Sequence, residues 1–173
     1  LNFFSGMTQR VPADPAGRWL AVTSLSFDIS VLELLWTLTR GLSVVLYSAT
    51  GKARSNVPQA SIADEIVQNR ITHLQCTPSM ALMLVADSAG RAALGRLDVL
   101  MVGGEALSLP LARQLRELLP GKFLNMYGPT ETTVMVCISD ALSVGETVTI
   151  GGPVRGVSAV ILDGSAQPVP VGV

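Results

Sequence analysis

The chain is short of the residue types that announce most binding chemistries. Its 173 residues include one histidine, His73, and two cysteines, Cys76 and Cys137. Two cysteines are too few for a disulfide framework, and neither has a partner suggesting a thiol nucleophile. With no second histidine or paired cysteine beside it, His73 reads as a structural strand residue. Charge is scarce as well: 14% of residues are charged, against roughly 25% in an average soluble domain. Lys and Arg are scattered singly and the formal net charge is −1, which argues against a nucleic-acid partner. The apolar run near Val31 to Leu38 is broken by Glu33 and is far shorter than the roughly 20 residues a bilayer span requires. No membrane segment is expected, and a reducing, cytoplasmic setting is.

What is present is apolar. Hydrophobic residues make up 49% of the chain, enough for one domain with a substantial core. So little charge beside so much apolar surface implies that part of that surface faces neighbouring protein. Leu1-Asn2-Phe3-Phe4 starts as if midway through an amphipathic segment, without an initiator Met, so a longer parent chain is expected. Apolar spacing predicts a helix up to Arg10, and Pro12 to Gly17 break it. Arg18 to Ser24, Ser43 to Tyr47, Thr72 to Cys76, Leu97 to Val102 and Lys122 to Leu124 read as short buried strands. Between them, Val31 to Leu38, Ser61 to Arg70, Met80 to Ala86 and the stretch opened by Ser108-Leu109-Pro110 read as helices, with a polar loop over 50–58. Asp28 or Ser30 is placed to cap the first of these. Thr77-Pro78 and Ser108 followed by Pro110 have the cap-then-proline form of helix starts.

Apolar strands alternating with helices predict a doubly wound, mostly parallel α/β sheet of the flavodoxin-like kind, covered on both faces. The tail differs: Val148 to Pro153 and Ser158 to Leu162 read as short β segments. The division expected is 1–140 for the α/β subdomain and 141–173 for the start of a following β-rich one.

In open α/β sheets the loops at the carboxyl ends of the strands converge on a crevice, and the chemically versatile residues sort to those ends. Asp28 follows the first strand, Gln75 ends the third, Gly103 to Ala106 follow the fourth, and Asn125 to Glu131 follow the fifth. In that last stretch Gly128-Pro129 is a strong turn signal. It displays an amide, a phenol, hydroxyls and a carboxylate, a set suited to a planar ring, a phosphate and a metal ion. The plain alternative is a capped loop between strand and helix.

Asn125-Met126-Tyr127-Gly128-Pro129-Thr130-Glu131 resembles the NxYGPTE signature of nonribosomal peptide synthetase adenylation domains. Phe27-Asp28-Ile29-Ser30 resembles their upstream FDxS segment, and Gly103-Gly104-Glu105-Ala106 the glycine-rich turn between the two. The resemblance covers essentially the whole chain but only the middle of the family's N-terminal portion. The family's phosphate loop ending in Pro-Lys-Gly, its ribose aspartate and its distal lysine find no match, so an internal fragment, inactive alone, is expected.

The resemblance implies an amino-acid-activating ligase using ATP and Mg²⁺, with carrier-protein and condensation domains as partners and phosphopantetheine as acyl acceptor. It implies adenine between Tyr127 and Gly103-Gly104, with Glu105 and Ala106 in the same turn. Asn125 would meet the adenine edge, Thr130 the α-phosphate, and Glu131 the metal, Thr130 and Glu131 being the catalytic pair. Asp28 would pair with the substrate's ammonium group, though an aspartate before a helix is also an ordinary cap. The implied specificity wall comprises Asp28, Ile29, Leu32, Gln75, Met101, Gly103, Met126, Val134 and Met135. With no acid or base left for a charged side chain, it favours glycine or another small apolar residue. Met135 departs from the tryptophan expected of glycine pockets. An acyl- or aryl-CoA ligase and a noncatalytic α/β binding module are the alternatives.

Overall fold

The computed structural model describes residues 2–12, 14–48, 60–132, 134–140 and 147–170. The polar loop expected over 50–58 and the start of the tail at 141–146 lie outside them, as does Thr133.

One seven-stranded sheet organises the chain, in the order β2-β1-β3-β4-β5-β6-β7. β1 (Arg18–Ala21), β2 (Ser43–Leu46), β3 (His73–Cys76), β4 (Val99–Gly103) and β5 (Lys122–Tyr127) run parallel. β6 (Cys137–Asp140) and β7 (Gly152–Pro153) close the far edge antiparallel. This is the expected doubly wound α/β fold. β7 takes Gly152–Pro153, at the end of the stretch expected to form a separate β segment, into the same sheet. Ser158 to Leu162 contribute only an isolated bridge from Leu162 to Pro168.

Side chains alternate between the two faces of each strand, which is why these strands are apolar almost throughout. Leu20, Leu74, Leu100, Val102 and Phe123 bury on one face against α3 (Ile62–Gln68), α4 (Pro78–Ala86), α5 (Ser88–Leu94) and α6 (Leu109–Leu118). Trp19, Ala21, Val99, Met101, Leu124 and Met126 bury on the other, with Phe3 and Met7 of α1 (Asn2–Arg10) and with Leu32 and Trp36. Trp19 stacks on His73, ring centroids 5.8 Å apart. The His73 ring nitrogens meet Thr72 Oγ1 at 2.7 Å and the Pro12 carbonyl at 2.8 Å, which makes it the structural residue its isolation implies.

Helix starts follow the sequence. The side chains of Ser61, Thr77 and Ser108 accept from the backbone N–H three residues on, and Pro78 and Pro110 occupy the first helical turns. α5 is unforeseen; Asp87 caps it by accepting from Gly90 N–H at 2.8 Å.

The segment after β1 departs from expectation. Val31–Trp36 forms a π-helical turn that passes into α2 (Thr37–Thr39), and no side chain caps it. Ser30 Oγ instead donates to the Phe27 carbonyl at 2.7 Å, and the Asp28 carboxylate takes no hydrogen bond from any described residue. Its buried face is also mixed. Leu32 and Trp36 are buried together with Glu33 and Thr37, whereas Leu35 and Leu38 are 55% and 62% exposed.

Candidate active site

The chain leaves β1 for β2 on one side of the sheet and returns to β3 on the other, so the topological switch lies between β1 and β3. Two cavities open along the carboxyl ends of the strands, and both include Gly104 and Glu105.

The first, about 490 Å³, is lined by Gly104 to Leu107 after β4, by Asn125 to Pro129 at the end of β5, and by Val148 to Ile150. Two glycines shape its wall. A Cβ on Gly103 would stand 2.7 Å from the Met126 carbonyl oxygen, too close for any side chain, so only glycine lets β4 and β5 approach here. Gly104 has φ +85°, the left-handed conformation that turns the chain sharply out of the strand. Tyr127 is 46% exposed at the rim. Asn125 is buried and its Nδ2 donates to the Thr149 carbonyl at 2.8 Å, an oxygen that also accepts from Ser139 Oγ at 2.9 Å.

Asn125 to Tyr127 therefore belong to the strand itself and do not follow it. Chain direction changes after them, with Gly128 and Pro129 leading through the short 3₁₀ turn Thr130–Thr132 into the antiparallel β6. The plain alternative of a loop between strand and helix does not hold, because Val136 N–H bonds back to the Tyr127 carbonyl at 2.9 Å and closes a strand-to-strand hairpin. Thr130 and Glu131 sit exposed on that turn, outside the linings of both cavities.

The second cavity, about 430 Å³, is lined by Val22 to Ser24, Phe27, Ile29, Gln75 to Thr77, Met80, Gly104 and Glu105. Gln75 is buried, and its Oε1 has no hydrogen-bond partner. Asp28 is half-buried between the lining residues Phe27 and Ile29. The remaining wall residues bury in one apolar cluster: Leu32, Met101, Met126, Val134 and Met135, with Ile29 packed against them. Val134 holds φ +68°, a conformation rare for a β-branched residue.

Two further carboxylates shape the crevice. Glu33 is fully buried, accepting from Val22 N–H at 3.3 Å and Thr23 N–H at 2.9 Å. Burial raises its pKa above the usual carboxylate value, against the pull of those two backbone hydrogen bonds. Glu105 reaches back to α4, accepting from Ser79 N–H at 3.1 Å and Ser79 Oγ at 2.5 Å. The Ser79 hydroxyl bond holds its pKa below the usual value. Burial, with Glu33 and Glu105 nearby, pushes the Cys76 thiol up to about 12, so it stays protonated and inert.

The cavity at the carboxyl ends of β4 and β5 is thus walled by a glycine turn and a half-exposed phenol. The family profile described as AMP-binding enzyme matches residues 1–173. This chain belongs to the AMP-binding enzyme family. The chain is 37% identical over 176 residues to a dimodular nonribosomal peptide synthase of Bacillus subtilis (strain 168), covering 99% of this chain and 7% of that protein. It is 35% identical over 167 residues to chondramide synthase cmdD of Chondromyces crocatus, covering 92% of this chain and 4% of that protein. Among solved structures, holo-AB3403, a four-domain nonribosomal peptide synthetase bound to AMP and glycine, superposes with a TM-score of 0.82 at 31% identity. That match covers 98% of this chain and 12% of AB3403. The chain thus spans a small part of the relatives it matches.

Some features of the site leave no clear mark in the sequence. Glu33 was visible only as a break in an apolar run, and a single acid there says nothing of the amides just after β1 that it meets. Val148 to Ile150 carried no signal for the first cavity, since Thr149 contributes a backbone carbonyl. No group of three His, Cys, Asp or Glu side chains that could hold a metal ion occurs among the described residues, and no helix of theirs is long and apolar enough to cross a membrane.

Proposed function

We propose that this chain is the substrate-selecting and ATP-binding part of an amino-acid adenylation domain. In the complete enzyme a substrate carboxylate oxygen attacks the α-phosphorus of ATP; the bond to the β-phosphate oxygen breaks, giving aminoacyl-AMP and pyrophosphate. The acyl group then passes to the phosphopantetheine thiol of a carrier protein, with a condensation domain in the same multienzyme. The observation that carries this reading is the convergence of Gly104, Glu105, Ala106, Asn125 and Tyr127 on one cavity, beside a second one whose lining brackets Asp28.

In this reading adenine lies between Tyr127 and the Gly103-Gly104 turn, whose backbone a flat ring can approach closely. Asn125, whose Nδ2 is engaged by Thr149, offers its remaining amide atoms to the base. Thr130 supplies a hydroxyl to the α-phosphate. Glu131 suits Mg²⁺ as one exposed carboxylate, since Mg²⁺ is usually held by one or two carboxylates together with substrate phosphates and water. Bound there, the ion would neutralise charge on the phosphates during displacement.

Asp28 is the acceptor for the substrate ammonium group, and its lack of an internal partner supports that role. The wall of Ile29, Leu32, Gln75, Met101, Gly103, Met126, Val134 and Met135 contains no charge, and Glu105, which lines the same cavity, is engaged by Ser79, so an unpaired substrate charge there would cost several kcal/mol. Leu32 and Met101 are fully buried, leaving little room, so the substrate is glycine or another small apolar amino acid. That AB3403 binds AMP and glycine supports this choice. Residues 1–140 carry these loops and 141–173 begin a β-rich unit anchored by β7; the setting is cytoplasmic.

A non-hydrolysable aminoacyl-adenylate analogue should raise the melting temperature of the complete adenylation domain, and an unchanged melting temperature would favour a noncatalytic module. The 173 residues alone should give no amino-acid-dependent pyrophosphate exchange; exchange above background would overturn the fragment reading.

A further inference from the structure

β1 ends at Ala21, whose carbonyl takes the last bond from the β2 side, at 2.9 Å from Tyr47 N–H. Pairing with β3 ends at Leu20 and Leu74. The next two amides, Val22 and Thr23, point into the crevice region with no strand to receive them. An amide left unpaired on burial costs ~1–3 kcal/mol. Both are taken by one side chain, the fully buried carboxylate of Glu33, ten and eleven residues further on.

Glu33 stands in the π-helical turn Val31–Trp36. Turns of this kind occur singly and often at functional sites. The turn is fixed from behind by Thr37 Oγ1, which donates to the carbonyls of Glu33 at 2.6 Å and Leu34 at 3.0 Å. Glu33 thus closes a loop whose start is the end of β1 and whose finish is its own helix. Inside the loop, Phe27 N–H bonds to the Ser24 carbonyl at 3.0 Å, and the Phe27 carbonyl receives Ser30 N–H at 3.1 Å and Ser30 Oγ at 2.7 Å. The Asp28 carbonyl accepts from Val31 N–H at 3.0 Å, while its carboxylate takes no hydrogen bond from any described residue.

We propose that Glu33 is the positioning residue for Asp28: by gripping the Val22 and Thr23 amides it fixes the loop that presents the Asp28 carboxylate to the second cavity. Glu33 touches no substrate. The inference rests on the reading of Asp28 as the ammonium acceptor, and the experiment separates the two.

The test uses amino-acid-dependent pyrophosphate exchange in the complete enzyme, with the preferred amino acid and its deaminated analogue, for wild type, Glu33→Gln, Asp28→Asn and the double variant. The Gln amide keeps one acceptor but turns an N–H donor towards a backbone donor. Glu33→Gln should raise KM for the amino acid about tenfold to a hundredfold, the span of a hydrogen bond to a charged group. KM for ATP and for the deaminated analogue should not move. In the double variant Glu33→Gln should add nothing to Asp28→Asn, because the group it positions is gone.

Equal losses for amino acid and analogue, or fully additive losses in the double variant, would overturn the positioning role. If Asp28→Asn leaves the preference for the amine intact, the reading of Asp28 itself fails. If Asp28→Asn removes that preference and Glu33→Gln does not, only the role of Glu33 fails. Should Glu33→Gln not fold, Glu33→Asp keeps the charge on a shorter arm and should fold with a reduced amine preference; full preference in that variant would also overturn the proposal.

Discussion

The loop after β1 and the hairpin after β5 each carry an acid, and they are built in opposite ways. The first is held from inside: a buried carboxylate, two backbone amides and a Ser30 bridge fix its course, and Asp28 is left half-buried, its carboxylate without a hydrogen bond from any described residue. The hairpin is held from its base. Val136 N–H closes on the Tyr127 carbonyl, while Thr132 N–H and Thr132 Oγ1 bond to the Pro129 carbonyl at 3.0 and 2.9 Å, and Glu131 stands exposed at the tip. An internally braced loop suits a ligand that must be read with directional precision. An exposed tip suits an ion that arrives with its own phosphate and water ligands.

If that contrast is right, Asp28→Ala in the complete enzyme has the largest effect. It should cost ~2–5 kcal/mol in amino-acid recognition, the penalty for removing one partner of a buried charge pair, seen as lost preference over deaminated analogues. An unchanged preference would remove Asp28 from the site. Gly103→Ala should come next, lowering stability by ~1–3 kcal/mol through overpacking against the Met126 carbonyl. Chemical denaturation of this chain measures it, and a neutral result would show that β4 and β5 can part without loss. Glu131→Gln should weaken use of Mg-ATP by at least about tenfold, the scale on which even outer-shell partners of a metal act. Amino-acid KM should barely change; equal losses in both would make Glu131 a structural residue.

The smallest effect concerns pH, where the two partnered acids work against each other. Glu105 has a lowered pKa, so its stabilising contribution is present above its ordinary value of 4.5 and is lost as pH falls through the lower folded value. Glu33 has a raised one. Its folded form binds the proton more readily than the unfolded chain, so stability falls as pH rises from 4.5 through the raised value. Melting temperature against pH for Glu105→Gln should lose the acid-side decline, and Glu33→Gln should lose the fall on the other side. Curves unchanged from wild type would contradict these assignments.

Much of this was legible in the sequence. Continuous apolar strands gave away a parallel sheet buried on both faces, and Ser61, Thr77 and Ser108 marked helix starts because an N-cap needs only one local hydroxyl. What escaped depends on non-local contacts. The π turn after Ser30 forms where Glu33 meets the amides of Val22 and Thr23 just past β1, and Asn125 to Tyr127 join β5 because β6 pairs with them from beyond the turn. α5 was missed because its capping acid, Asp87, precedes a seven-residue segment with a glycine inside. The first cavity was half visible: Gly104, Asn125 and Tyr127 announced themselves by type, while Thr149 acts through its backbone and leaves no mark in a sequence.

The most direct test of the central claim is pyrophosphate exchange by the complete adenylation domain across the standard amino acids. Exchange should depend on a small uncharged amino acid, glycine foremost, and collapse in Asp28→Ala. A clear preference for a charged side chain, or exchange that needs no amino acid at all, would contradict the assignment of this crevice.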